Sequence, residues 1–242
     1  VQSYPGLIKG IKIRLVGPLV ARNGLEIFKI TKKVARDFNL PVMVHIGDIE
    51  RRVPASLTEE VLPLMEKGDI LSHVFTARQG GAMRPDGTFI PEFKAALERG
   101  VVFDVANGRN NMTFEVAKRG IAKGIIPHVI SSDLTSATVS GPVYGLTATM
   151  SKFLALGFEL NQVIAMTTIN PAKAISIADR KGSLRSGMDA DVSILEVKSG
   201  KWKLQDSDKQ ILIAEQLIMP KLTVKAGKTA LPKLVALPEQ TD

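Results

Sequence analysis

Short apolar runs alternate with helical patterns from the first residues to about Asn170, and this alternation constrains the fold of the 242-residue chain most strongly. The apolar runs lie at 6–16, 42–46, 70–75, 101–105 and 129–132. The helical patterns lie at about 25–38, 57–67, 91–99 and 114–123, with Gly100 and Gly124 after the last two. Such alternation is typical of parallel βα units, so the sequence predicts an α/β fold in this part.

Polar side chains stand at or near the ends of these predicted strands: His45, His73, the stretch 104–107, and Asp133. Parallel strands of this number fit either an open doubly wound sheet or part of a closed barrel. The catalytic side chains of a barrel stand where its strands end. A dinucleotide-binding sheet instead needs Gly-x-Gly-x-x-Gly directly after a strand, and no predicted strand is followed by it. The strand ends therefore favour a barrel.

The character of the sequence changes after Asn170. The stretch 181–191 is rich in glycine, serine and charged residues. Beyond it, four segments have the composition of short strands joined by turns: DVSILEV, KWKLQ, QILIAEQ and LTVKAGK. The sequence therefore predicts a second, β-rich region.

Composition and charge exclude several classes of protein. The net charge of +8 is spread along amphipathic helices rather than clustered with aromatic residues, so we expect no nucleic-acid partner. No apolar run approaches the roughly 20 residues that span a bilayer, so we expect no membrane partner and a cytoplasmic location. The absence of cysteine excludes disulfides, thiolate zinc ligands and a cysteine nucleophile. Because the chain begins at Val1 rather than methionine, we expect it to be a fragment.

Two of the three histidines, His45 in VMVHIG and His73 in ILSHVF, stand near the ends of successive strands. Imidazole is a good zinc ligand, and successive barrel strands bring such side chains to one face. An isolated histidine is more often a hydrogen-bonded structural residue. Two in equivalent places, joined by Asp133 in ISSDLT, favour a metal site instead. His128 begins its predicted strand, and we expect it to be structural.

Lys12 lies within the first predicted strand, between two isoleucines. A buried ammonium is costly, so the position needs an explanation. Three interpretations stay open: a lysine whose charge reaches water at a strand end, a buried ion pair, or a lysine modified to a carbamate that bridges two metals.

Seven motifs extend the comparison from single residues to the whole chain: GIKIR, VHIGD, LSHVFT, VVFDVANG, HVISSDLT, TTINPAKAI and GSLRSGMDADVSIL. Together they closely resemble the amidohydrolase superfamily, in particular its dihydroorotase-like deacetylase branch. The resemblance implies a (β/α)8 TIM barrel with a small β-sandwich domain. Residues 1–178 would supply strands four to eight of the barrel, and residues 179–242 part of the sandwich.

The resemblance also implies an activity. Members of this superfamily are metal-dependent hydrolases, and this branch implies a deacetylase or dihydroorotase-like enzyme that cleaves an amide or ester bond of a small molecule through a metal-activated hydroxide. Carried over residue by residue, Lys12 is the carboxylated lysine, His45 and His73 are metal ligands, and Asp133 binds a metal and transfers the proton. The implied cofactor is Zn2+, as a pair in the complete enzyme.

The sequence also departs from the family pattern. The His-x-His pair of the first barrel strand is absent, together with the first three strands. We therefore expect that an N-terminal segment or a second chain, including a copy in a homo-oligomer, completes the barrel. The alternative is a truncated or noncatalytic homologue that serves as a scaffold.

Two loops after predicted strands are expected to overhang the barrel mouth. Asn107 and Arg109 lie in one of these loops, and Arg78 lies just before the other. All three are placed to meet an anionic group of a small-molecule substrate. Simple solvation of each arginine is an equal alternative. Asn107 takes a place where many members of the branch have histidine, and so does Thr135 after the catalytic acid.

Overall fold

A parallel four-stranded sheet forms the first part of the chain in the computed structural model, which describes residues 1–4 and 6–241. Its strands, in order across the sheet, are β1 (Ile11–Arg14), β2 (Val42–His45), β3 (Ile70–Ser72) and β4 (Val102–Asp104). The helices are α1 (Pro18–Asp37), α2 (Leu57–Val61) with a 3-10 turn at Leu62–Leu64, α3 (Pro91–Glu98) and α4 (Phe114–Ala122). This alternation confirms the predicted α/β class.

The two faces of this sheet differ in chemistry. Arg14 lies opposite His45, His45 opposite Ser72, and Ser72 opposite Asp104. Residues in register on neighbouring strands share a face, so these polar side chains lie together at the carboxyl ends of the strands. The opposite face presents fully buried apolar side chains, namely those of Val42, Val44, Leu71 and Phe103.

Helix α1 is held to the sheet by apolar packing and by a buried ion pair. Phe28 and Ala35 on its inner face are fully buried. Lys32 on the same face is also buried, and its ammonium donates to Asp69 Oδ2 at 2.7 Å. Asp69 Oδ1 accepts from the Val42 backbone N–H at 2.9 Å. A buried charge is stable only when it is paired, so the Lys32–Asp69 pair ties α1 to the beginning of β2 and β3.

The fifth predicted strand, at 129–132, is not a strand in the structure. Within it, Val129 forms only an isolated bridge. The Asn107 N–H donates to the Ser131 carbonyl at 3.0 Å, and the residues that follow each of them pair in the same way. Because these carbonyls pair with a turn rather than with a continuous strand, the segment remains irregular.

The rest of the chain contains three helices and a second sheet. The helices are α5 (Leu146–Ala155), α6 (Leu160–Thr167) and α7 (Ile169–Ala174). The strands are β5 (Val192–Gln205), β6 (Ile211–Lys225), β7 (Lys228–Ala230) and β8 (Glu239–Thr241). The sheet is antiparallel in the order β7-β6-β5-β8, which confirms a β-rich region.

The four short strands predicted here merge into the two long strands β5 and β6, so the predicted turns within them were wrong. The Ser199–Gly200 pair lies at a register shift between Ser199 and Trp202. Pro220, which lacks an N–H, pairs with Leu195 beside a second register shift. Glycine and proline inside a strand often mark bulges, and a bulge bends the strand without ending it.

The described chain divides into two compact units. One comprises residues 1–105 and 110–128, and the other comprises 106–109 and 129–242. Helices α5 to α7 fall in the same unit as the second sheet, where the Ser151 hydroxyl accepts from the Ile218 N–H at 2.8 Å. This division differs from the predicted domain boundary after residue 178, which remains a prediction. No helix among the described residues is long and apolar enough to cross a bilayer.

Candidate active site

His45 and His73 lie side by side at the carboxyl ends of adjacent strands. His45 is the last residue of β2, and His73 follows β3. Their Nδ1 and Nε2 atoms are 2.7 Å apart, and the two rings meet nearly edge to face, with an interplanar angle of 77°. Both residues are buried, with 8% and 1% exposure. The structure therefore brings together the two histidines that the sequence singled out.

The backbone at His73 makes this contact possible. The register places Ser72 on the same sheet face as His45, so a continuing strand would turn His73 to the opposite face. His73 instead adopts φ 70, and its N–H donates to the Asp104 carbonyl at 3.0 Å. This left-handed conformation is uncommon outside glycine and costs about 1–3 kcal/mol. It ends the predicted 70–75 strand early and directs the ring toward His45.

The electrostatics of the site favour a neutral ring at His45. Burial lowers the pKa of His45 to about 3, with smaller contributions from His73, Arg14 and Lys12. At neutral pH His45 is therefore uncharged, and one ring nitrogen of the facing pair donates while the other accepts. Neutral imidazole is also the form that binds a metal ion.

This donor chemistry fits part of a metal site. Two imidazole nitrogens face one another at strand ends, as ligands to a shared ion would. Within residues 1–4 and 6–241, however, no group of three or more His, Cys, Asp or Glu side chains is arranged to hold a metal. The described residues thus bring two imidazole donors together.

Lys12 is exposed on the face of β1 that it shares with Arg14. This exposure matches a lysine whose charge reaches water, and the other two interpretations of its position remain predictions. The positive charge of Lys12 is one of the causes of the low pKa of His45.

Two polar features of the site were not assigned a role from the sequence. Arg14 is exposed directly opposite His45, and both line a cavity of about 370 Å3. The Ser72 hydroxyl donates to Asp104 Oδ2 at 2.9 Å on the same sheet face. Strand alternation was the available signal, because Arg14 is two residues from Lys12 and must share its face.

The three predicted substrate-binding residues have different surroundings. Arg78 is half-buried, and its Nε donates to the Asn110 carbonyl at 3.0 Å. Arg109 is exposed. Asn107 is 1% exposed and its amide bonds to Thr149 and Lys152, so it is not open to solvent here, and its role in substrate binding stays a prediction. The buried polar groups of Thr149 and Lys152 need hydrogen-bond partners, and Asn107 provides them.

Asp133 and His128 complete the predicted set. Asp133 is exposed, with φ 45, in the second compact unit, and its placement beside the histidines remains a prediction. His128 Nδ1 accepts from the Phe103 N–H at 3.0 Å, and its own N–H donates to the Phe103 carbonyl. His128 therefore pairs with β4, and β3 separates that strand from His45. Such backbone pairing is what a structural histidine makes.

Comparison with known proteins adds the family. The profile of the amidohydrolase family matches residues 22–230, which is most of the chain. The chain belongs to the amidohydrolase family. The family that the motifs predicted is therefore confirmed.

The amidohydrolase relatives include a deacetylase of Enterococcus faecalis, 32% identical over 231 residues that cover 94% of this chain and 61% of the relative. The crystal structure of an adenine deaminase matches with a TM-score of 0.88 at 31% identity, covering 96% of this chain and 62% of that one. A dihydroorotase matches with a TM-score of 0.79 at 28% identity, covering 94% and 58%. The chain thus spans about three fifths of the length of these relatives.

Proposed function

We propose that this amidohydrolase is a metal-dependent hydrolase that cleaves the amide or ester bond of a small acyl compound, with zinc as its metal. The observation that carries this proposal is the contact between His45 Nδ1 and His73 Nε2 at the carboxyl ends of adjacent strands. The similarity to an enzyme named as a deacetylase favours an acetyl group as the acyl part. These relatives do not favour the alternative of a noncatalytic scaffold.

His45 and His73 would hold the ion, together with Lys12 as a carbamate. The low pKa of His45 means that no proton has to be displaced from its ring before it binds. Lys12 shares a sheet face with His45 and is exposed, so carbon dioxide can reach its amine. A divalent metal bound there would polarise the scissile carbonyl and make water a better nucleophile at neutral pH.

Asp133 would move the proton. Its exposed carboxylate can accept a proton from the attacking water and then donate it to the departing nitrogen or oxygen. The left-handed backbone at Asp133 is tolerated by aspartate better than by most residues. Backbone strain of this kind often accompanies catalytic positions, and His73 has it too.

We further propose that additional polypeptide covers the open face of the first sheet and completes a barrel. Among the described strands, β1 pairs only with β2. Lys12 and Arg14 are exposed on this strand, where a closed barrel would enclose them. A monodisperse monomer of residues 1–242 that unfolds cooperatively and binds stoichiometric zinc would contradict this proposal.

Metal analysis of matched variants tests the proposed function. In the full-length enzyme, His45→Ala and His73→Ala should each lower the bound zinc measured by plasma mass spectrometry and abolish hydrolysis of acetylated substrates. His128→Ala is the matched control, because the ring of His128 accepts from the Phe103 N–H on β4, and this variant should retain the metal. Equal zinc content in all three variants would refute the histidine assignment.

A further inference from the structure

A buried lysine lies at the centre of the second compact unit. Lys152, on α5, is 0% exposed, and its ammonium donates to Pro142 O at 2.9 Å and to Asn107 Oδ1 at 3.3 Å. The amide nitrogen of Asn107 donates in turn to the Thr149 hydroxyl at 3.3 Å. Helix α5 therefore binds Asn107 at both ends of its side-chain amide, from positions one helical turn apart.

The segment that contains Asn107 is hydrogen-bonded to the backbone directly before Asp133. The Asn107 N–H donates to Ser131 O, and the Gly108 N–H donates to Ser132 O, both at 3.0 Å. Ser132 is the residue before Asp133. Hydrogen bonds thus connect the lysine, through one side-chain amide and two backbone pairs, to Ser132, which directly precedes the residue proposed to transfer the proton.

Packing alone does not account for a lysine at this position. An ammonium group loses its hydration on burial, and an apolar side chain of similar volume often gives an equal or more stable interior. Burial lowers the pKa of Lys152 to about 7, although the charge of Asp206 opposes this effect. Both the ammonium and the neutral amine can donate to Pro142 O and Asn107 Oδ1, so the connection persists in either state.

We infer that Lys152 is a positioning residue, which fixes the 106–109 segment through Asn107 and thereby fixes the backbone that places Asp133. This inference rests on the proposed function for the role of Asp133, but the connection itself is structural. Misplacement of a reacting group by about 1 Å can lower a rate roughly 100-fold. The lysine therefore acts on turnover without touching substrate.

The test compares Lys152→Met and Asn107→Leu in the full-length enzyme with Ser151→Ala as the matched control. Ser151 is next to Lys152 and equally buried, but its hydroxyl bonds to Thr147 O and the Ile218 N–H. Hydrogen exchange followed by mass spectrometry reports on peptides that cover 106–109 and 131–135. We expect faster exchange there in the first two variants and wild-type exchange in the control.

Kinetics give the second measurement. Lys152→Met and Asn107→Leu should each lower kcat about tenfold or more with little change in KM or bound metal, and the double variant should be no worse than either single one. Asn107→Asp, which keeps an acceptor for Lys152, should restore much of the rate. Wild-type exchange and kcat in a folded Lys152→Met variant, or equal effects in Ser151→Ala, would overturn the inference.

The two proposals fail in different ways. A rise in KM alone in Asn107→Leu would make Asn107 a substrate ligand and overturn its positioning role. If the wild-type enzyme hydrolyses no acyl compound, the proposed function fails, and the exchange of the 106–109 and 131–135 peptides still decides whether Lys152 holds this segment. If Lys152→Met does not fold, Asn107→Leu breaks the same connection from its other side, and Lys152→Gln, which keeps a donor, should stay close to wild type. Wild-type exchange and kcat in Asn107→Leu would then overturn the inference.

Discussion

The titration of His45 predicts how the stability of the protein without bound metal changes at acid pH. The ordinary pKa of histidine is 6.5, and burial, with help from nearby positive charges, lowers that of His45 to about 3. The unfolded state therefore takes up a proton at His45 at higher pH than the folded state does. Stability from this group is full above pH 6.5 and is lost as the pH falls from 6.5 toward 3.

The size of the effect follows from the shift. Each pKa unit corresponds to about 1.4 kcal/mol, so the full shift amounts to roughly 5 kcal/mol, of which about 2.7 kcal/mol is lost between pH 7.5 and pH 4.5. Urea unfolding of the enzyme after chelation measures the free energy at each pH. The His45→Gln variant removes the titrating ring but keeps a polar side chain.

The comparison between the two proteins isolates His45 from other groups. Carboxylates such as Glu66, whose pKa Arg36 and Lys32 lower to about 2, titrate in both. The wild type should therefore lose about 2.7 kcal/mol more than His45→Gln over this pH range. Parallel pH dependences of the wild type and the variant would refute the conclusion that His45 is held neutral by its surroundings.

Three further substitutions test other parts of the molecule. Asp69→Ala leaves Lys32 buried without this partner and should destabilise the fold by about 3 kcal/mol in urea unfolding, whereas Glu26→Ala, in an exposed pair, should cost less than about 0.5 kcal/mol. A cost for Asp69→Ala as small as that for Glu26→Ala would show that the buried pair is not needed. Asp133→Asn should lower kcat about 100-fold or more while zinc content changes little, and a near-normal kcat would exclude it as the proton carrier. Arg109→Ala should lower the ratio of rates for anionic and neutral substrates, and an unchanged ratio would leave this exposed arginine as a solvated loop residue.

The linear pattern of residues was enough to predict the class of fold and the family. Apolar runs and helical patterns alternate along the chain, and β1 to β4 and α1 to α4 overlap the predicted segments, although α1 begins earlier, at Pro18. This agreement has a simple cause, because the period of the apolar residues decides which faces can be buried. The motifs around His45, His73 and Asp133 identified the family, since a motif is defined by residue type and spacing and both can be read directly from the sequence.

Side-chain partners depend instead on contacts between residues that lie far apart in the chain. The sequence did not indicate that His73 leaves its strand at φ 70 to meet His45, because periodicity assigns that ring to the opposite face. Nor did it show that Asn107 is enclosed by Lys152 and Thr149, which are more than 40 residues away. Turns and bulges are also ambiguous locally, as the glycine within β5 illustrates. Local propensity describes what a segment can adopt, and only contacts between distant segments select which side chains meet.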